Sequence, residues 1–161
     1  CFPADRAELL NKGIVCSVQP CHLMTDWPAA DRHWGARGAH TYAFRTMLDG
    51  GAVLACGSDA PVESADPRLG FYAAVVRCDT QHNPNGGWHG EQCIMMREAL
   101  AGYTTGAAVA AGAVGVQGVL QPGAHADMAV WTTDPLNVAP EELLDLKVSA
   151  TVVNGELVER A

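Results

Sequence analysis

Asp59 is the residue in this chain best placed to do chemistry. It stands in LACGSDAPVE, residues 54–63, where an apolar run gives way to Gly-Ser and a proline follows. A carboxylate just past the end of a buried strand can hold a metal ion or take a proton from an activated water. It can also do no more than accept hydrogen bonds from backbone amides in a turn. His22, in SVQPCHLMTDW, follows a second apolar run, residues 13–18, and is a candidate for contact with a substrate oxygen. Trp27, Trp34 and Trp88 could line a pocket. Asp26 reads as a turn or cap residue, and His33, His40 and His125 read as structural or surface residues.

Cys78, His82, His89 and Cys93 give C-x₃-H-x₆-H-x₃-C, residue types that suit tetrahedral zinc. The spacing lacks the tight C-x-x-C knuckle, and a Gly/Asn/Pro stretch separates the pairs, so a surface loop is the simpler reading. The acids of ESADP (63–67) and of Glu141-Glu142 fit helix starts. The chain has no phosphate-binding glycine loop, G-x-S-x-G elbow or H-E-x-x-H.

The elements that must position Asp59 and His22 follow from hydrophobic patterning. Residues 13–18 and 52–57 are short, poorly alternating apolar runs, as in strands buried on both faces. Residues 4–12 read as the end of a helix, 21–39 as a long irregular loop and 41–49 as a helix. Asp66 and Pro67 supply an N-cap and a first-turn proline for a helix over 66–77. Residues 78–93 read as a loop, then 95–103 and 105–113 as two helices broken near Tyr103-Thr104. Strands alternating with helices predict a parallel α/β sheet, which places ligands at the strands' carboxyl ends.

Beyond residue 113 the pattern changes. A short strand, a Pro122-Gly123 turn and a strand at 126–132 are expected, then a helical turn in 134–146. Asn154-Gly155 joins two strand runs as a type I′ hairpin. The expected division is 1–113 and 114–161.

The 161 residues carry a formal charge of −8 with scattered lysines and arginines, which argues against nucleic acid or an anionic membrane as partner. The longest apolar run, 106–116, is too short to span a bilayer. Six cysteines without a C-x-x-C pair read as reduced, mostly buried thiols. The chain opens on CFPADRAELL without an initiator Met, so its natural start is expected further upstream, and the cytoplasm is the default location.

SVQPCHLMTDW, AFRTMLDGGAVLACGSDAPVESADPRLGFYAAVVR, EALAGYTTGAA and LQPGAHADMAVW together resemble the C-terminal third of the amidohydrolase superfamily. The closest resemblance is to amidohydrolase family 3, the N-substituted formamide deformylase-like group, and it runs over residues 5–159. GSDAPVE followed by Asp66-Pro67 and the helix ending at Arg77 is its specific part; the P-G-x-x-A-D turn is shared more widely. The resemblance implies the last two strands of a (β/α)₈ metallo-hydrolase barrel, with the following helices and strands of a small β-sandwich.

It also implies a divalent metal, with zinc the expected ion, and a small-molecule amide-type substrate, with a homo-oligomer possible. Asp59 matches the acid at the end of the last barrel strand, a metal contact and proton shuttle. His22 matches a His on the substrate side. The family's His-x-His pair, its middle-strand ligand and its later histidines have no match here and are expected before residue 1. Isolated, the chain is then expected to be inactive. The alternative is a catalytically dead packing or partner-binding module of the same fold.

Overall fold

The computed structural model describes residues 8 and 12–160. The helix end expected over 4–12 lies largely outside them, although Lys12 pairs with Glu8 one turn back. The first described elements are strand β1 (Val15–Val18), helix α1 (Leu23–Trp34), helix α2 (Phe44–Asp49) and strand β2 (Val53–Cys56). β1 and β2 pair in parallel, Val15 opposite Val53 through Val18 opposite Cys56. The expected helix–strand alternation is therefore present, with each strand two residues shorter than its apolar run. β2 carries the burial, at Leu54, Ala55 and Cys56, while β1 is half-buried and exposes Ser17.

The stretch 21–39 is helical, not irregular. A 3₁₀ turn, Pro20–His22, leads directly into α1, and a second 3₁₀ segment, Gly35–His40, follows it. Pro28 sits inside α1, where it removes a backbone donor. Packing outweighs that cost: Leu23 and Ala30 are buried against Trp88.

Helix α3 (Pro67–Val75) begins as its sequence predicts, the Asp66 carboxylate accepting from the Arg68 amide. It buries the consecutive residues Gly70, Phe71, Tyr72, Ala73 and Ala74, so it is enclosed on nearly every side. The two helices expected over 95–113 are one, α4, which runs through Met96–Ala101, a π-helical stretch Gly102–Gly106, and Ala107–Ala110. Thr104 and Thr105 donate their hydroxyls to the carbonyls of Leu100 and Ala101, four residues back. These bonds hold the wide turn where the sequence reads as a break.

Gly102 and Gly106 let α4 lie directly on β2. A Cβ on Gly102 would stand 2.5 Å from the Cys56 sulfur, and one on Gly106 would strike the Leu54 carbonyl. Gly106→Ala is therefore expected to destabilise the chain by about 2–3 kcal/mol, despite alanine's better helix propensity. The urea midpoint measures it; a variant as stable as the parent would show that α4 does not seat on β2 as described.

The carboxyl-terminal part forms an antiparallel sheet in the order β3 (Met128–Trp131), β4 (Val148–Val153), β5 (Glu156–Arg160). Asn154 and Gly155 have φ of 52° and 81°, as a type I′ turn requires. The short strand expected just before Pro122 is absent: residues 114–121 form turns and bends. Packing crosses residue 113: Trp131 meets Phe71, and Leu143 and Leu146 are buried with Tyr72 and Cys78. The Arg68 guanidinium ties the two parts by donating to the Leu146 carbonyl at 2.7 Å.

The five described cysteines are free thiols. Cys56, between β2 and α4, is pushed by burial up to about 12 from an ordinary 9.0. The folded chain thus keeps a proton that the unfolded chain releases above pH 9. Stability from this group is complete below pH 9 and falls as pH rises toward 12, by roughly 1.4 kcal/mol per unit. Urea midpoints at pH 8, 9 and 10 should decline, and Cys56→Ala should flatten the decline. A parental slope unchanged by that substitution would exclude Cys56 as its source.

Candidate functional site

Because β1 and β2 are parallel, their carboxyl ends open on one side. The Gly57 amide donates to the Val18 carbonyl at 3.0 Å, carrying the pairing one step past β2. The Cys21 thiol then reaches the Ser58 carbonyl at 3.8 Å. The loop after β1, which carries His22, and the loop after β2, which carries Asp59, therefore meet at a common rim.

Asp59 is exposed there with φ of 58°, in the left-handed region that few residues other than glycine adopt. Its carbonyl accepts from the Val62 amide at 2.9 Å, closing a turn over the cis Ala60–Pro61 bond. Its carboxylate makes no hydrogen bond or ion pair with the described residues. That sets it apart from the chain's turn acids. Asp66 caps α3, Asp79 accepts from the Gln81 and Asn83 amides, and Asp134 accepts from Leu136. A strained backbone presenting an uncommitted acid is an arrangement that recurs at functional sites.

His22 closes the Pro20–His22 turn and stands as N-cap of α1. It is half-buried, and its Nε2 is enclosed without a hydrogen-bond partner, as is the indole nitrogen of the half-buried Trp27. Enclosed polar atoms of this kind are rare and call for a partner. Trp88 is buried, 4% exposed, with its indole N–H donated to Asp31 at 2.8 Å, so it supports α1 from beneath. Trp34 is 49% exposed at the far end of α1.

Three residues of this region escaped the sequence reading. Tyr42, with φ of 47°, donates its hydroxyl to Asp26 on α1 at 2.5 Å. Burial and that neighbouring carboxylate hold the phenol well above its usual range. Glu63 lies close enough to raise both Tyr42 and Cys21 electrostatically.

The third is Arg77. Fully buried, it donates to the Trp88 carbonyl at 2.6 Å and the Tyr42 carbonyl at 2.9 Å, beneath the rings of Phe44 and Trp88. Burial brings it down to about 10. A lone arginine ending the apolar run GFYAAVV was the signal available in sequence.

The C-x₃-H-x₆-H-x₃-C residues do not assemble. The Cys78 thiol donates to Pro84, His82 pairs with the Tyr72 hydroxyl at 2.8 Å, and His89 lies against Glu91 and Trp88. Among the described residues no three of His, Cys, Asp or Glu stand close enough together to hold a metal ion. An apolar hollow lined by Leu48, Val53, Leu54, Gly102, Thr105 and Val109 lies along β2 and α4, away from Asp59.

A family model described as "Amidohydrolase family" matches residues 2–159. The chain is 35% identical over 147 residues to the putative amidohydrolase YtcJ of Bacillus subtilis (strain 168), covering 90% of this chain and 28% of that protein. It is 31% identical over 153 residues to the N-substituted formamide deformylase of Arthrobacter pascens, covering 93% of this chain and 28% of that protein. Among solved structures, an uncharacterized metal-dependent hydrolase from Pyrococcus horikoshii superposes with a TM-score of 0.69 at 31% identity, over 84% of this chain and 28% of its own. The chain thus spans a little over a quarter of the length of these relatives.

Proposed function

The chain belongs to the amidohydrolase family, and from that premise we propose that it forms part of the active centre of a metal-dependent hydrolase. The reaction is cleavage of a non-peptide, amide-type carbon–nitrogen bond in a small molecule. The observation that carries this reading is the uncommitted Asp59 carboxylate, held in a left-handed turn at the common carboxyl end of two parallel strands.

Asp59 fits one ligand position of a divalent metal, with zinc the expected ion. Protein zinc sites use three or more protein ligands, and the described residues offer no such group. The remaining donors belong to polypeptide outside these residues. The metal, when bound, supplies Lewis acidity that makes a water nucleophilic near neutral pH. Asp59 accepts the proton of the attacking water and returns it to the departing nitrogen. His22 and Trp27 belong to the substrate side of the rim, and Trp88, donating its indole N–H to Asp31, braces the helix that carries them.

In this reading residues 1–113 are the C-terminal portion of a (β/α)₈ barrel, with β1 and β2 its last two strands, and residues 114–161, with β3–β5, are part of a small composite β-sandwich. No helix among the described residues is long and apolar enough to cross a membrane.

The test uses the polypeptide extended upstream to the length of its relatives, stripped of metal and reloaded with zinc. N-substituted formamides are the first substrates to try. Turnover should require the metal and be absent from the isolated chain.

The second reading, a catalytically dead packing module, draws on the exposed apolar face of the three-stranded sheet, at Met128, Val130 and Leu157. A loaded, extended protein that hydrolyses no amide in a broad panel, yet associates stably through that sheet, would favour it.

A further inference from the structure

Four contacts hold the backbone from Gly57 to Asp59. The Gly57 amide is fixed by Val18, the Gly57 carbonyl by the Tyr103 hydroxyl at 3.5 Å, the Ser58 carbonyl by Cys21, and the Asp59 carbonyl by Val62. Of these four holds, the Tyr103 hydroxyl comes from the most distant segment. Tyr103 is the second residue of the π-helical stretch Gly102–Gly106, and its ring stands edge-on to Phe71 with centroids 5.2 Å apart. The phenol also fills the place where Gly70 lacks a side chain: a Cβ there would strike its oxygen and stand 2.6 Å from Cζ. Tyr103 is thus wedged between α3 and the end of β2, directly behind the catalytic candidate.

We infer that Tyr103 is a positioning residue, wedged by the π-turn of α4 under Gly57 to hold the turn that aims Asp59 at the reacting atoms. The inference rests on the proposed role of Asp59. π-Turns within helices frequently mark functional sites. Here the wider turn carries the phenol to the strand end, and a misplacement of about 1 Å at a reacting group can cost 10²-fold in rate.

The test has two readouts. In the 161-residue chain, NMR follows the amides of residues 57–63 and the strong intraresidue NOE that marks positive φ at Asp59. Tyr103→Phe removes the hydroxyl and keeps the ring. Gly70→Ala keeps the hydroxyl and drives the ring away. Tyr103→Phe paired with Gly70→Ala closes a double-mutant cycle.

Both single variants should stay folded, shift the 57–63 amides and weaken the Asp59 NOE, with non-additive effects in the pair. In the extended, metal-loaded protein, Tyr103→Phe should lower kcat roughly tenfold with KM within about twofold. Unmoved 57–63 amides in both single variants would overturn the inference. So would a displaced turn with kcat unchanged in a protein that Asp59→Asn inactivates. If Asp59→Asn itself retained full activity, the reading of Asp59 would fall, and with it the catalytic part of this inference. The NMR comparison would still decide separately whether Tyr103 holds the turn.

Discussion

Asp59→Asn lowers kcat by roughly 10³-fold in the metal-loaded, extended protein, within the 10²–10⁴ range of general acid–base catalysis, and leaves the fold of the chain unchanged. Both halves follow from the geometry. The carboxylate is exposed and makes no hydrogen bond or ion pair with the described residues, so its replacement removes no such contact among them. Asparagine also tolerates the left-handed φ of 58° nearly as well as aspartate. The expected change in stability is within about 0.5 kcal/mol. Steady-state kinetics on the extended protein and a urea midpoint on the chain check the two halves. Parental kcat in the variant would remove Asp59 from the mechanism; a large loss of stability would make it a structural residue.

Arg77→Met produces the largest loss of stability. Two effects oppose each other. Relieving the burial of a cation, already brought down to about 10, favours the substitution. Against it, the buried Trp88 carbonyl loses its donor, at about 1–3 kcal/mol, the Tyr42 carbonyl keeps only the Phe44 amide, and the cation's contacts with the Phe44 and Trp88 rings are lost, at up to about 2 kcal/mol. Both carbonyls belong to segments that frame the site, and methionine offers no donor, so the second effect wins. The expected cost is about 3 kcal/mol or more. Trp88, now 4% exposed, should be released to water with a red shift in its fluorescence. Arg77→Lys cannot span both carbonyls and should recover only part of the loss. A urea midpoint near the parental value in Arg77→Met would contradict this account.

The parts of the fold legible in sequence are those encoded within a few residues. Asp66-Pro67 starts a helix because a carboxylate meets the free amides of the first turn and proline spends no donor there. Asn154-Gly155 turns a hairpin because both residues accept positive φ. The two short apolar runs and the helix between them are likewise enough to make a parallel strand pair, and so to put Asp59 and His22 on one rim.

What the sequence hid depends on contacts across it. Pro28 reads as a helix breaker until Leu23 and Ala30 find Trp88. The break at Tyr103-Thr104 is a π-turn because Gly102 and Gly106 must meet β2, some fifty residues earlier. The same applies to the site: Tyr42 reaches Asp26 and Arg77 reaches Tyr42 only once the chain has folded.

The central claim is that Asp59 contributes one ligand to a metal whose other donors lie outside the described residues. It is tested most directly by a crystal structure of the extended protein loaded with zinc, the ion located by its anomalous scattering. The account predicts an Asp59 carboxylate oxygen about 2.0–2.2 Å from the ion. An ion fully coordinated by other residues, with the Asp59 carboxylate turned out of its reach, would contradict it.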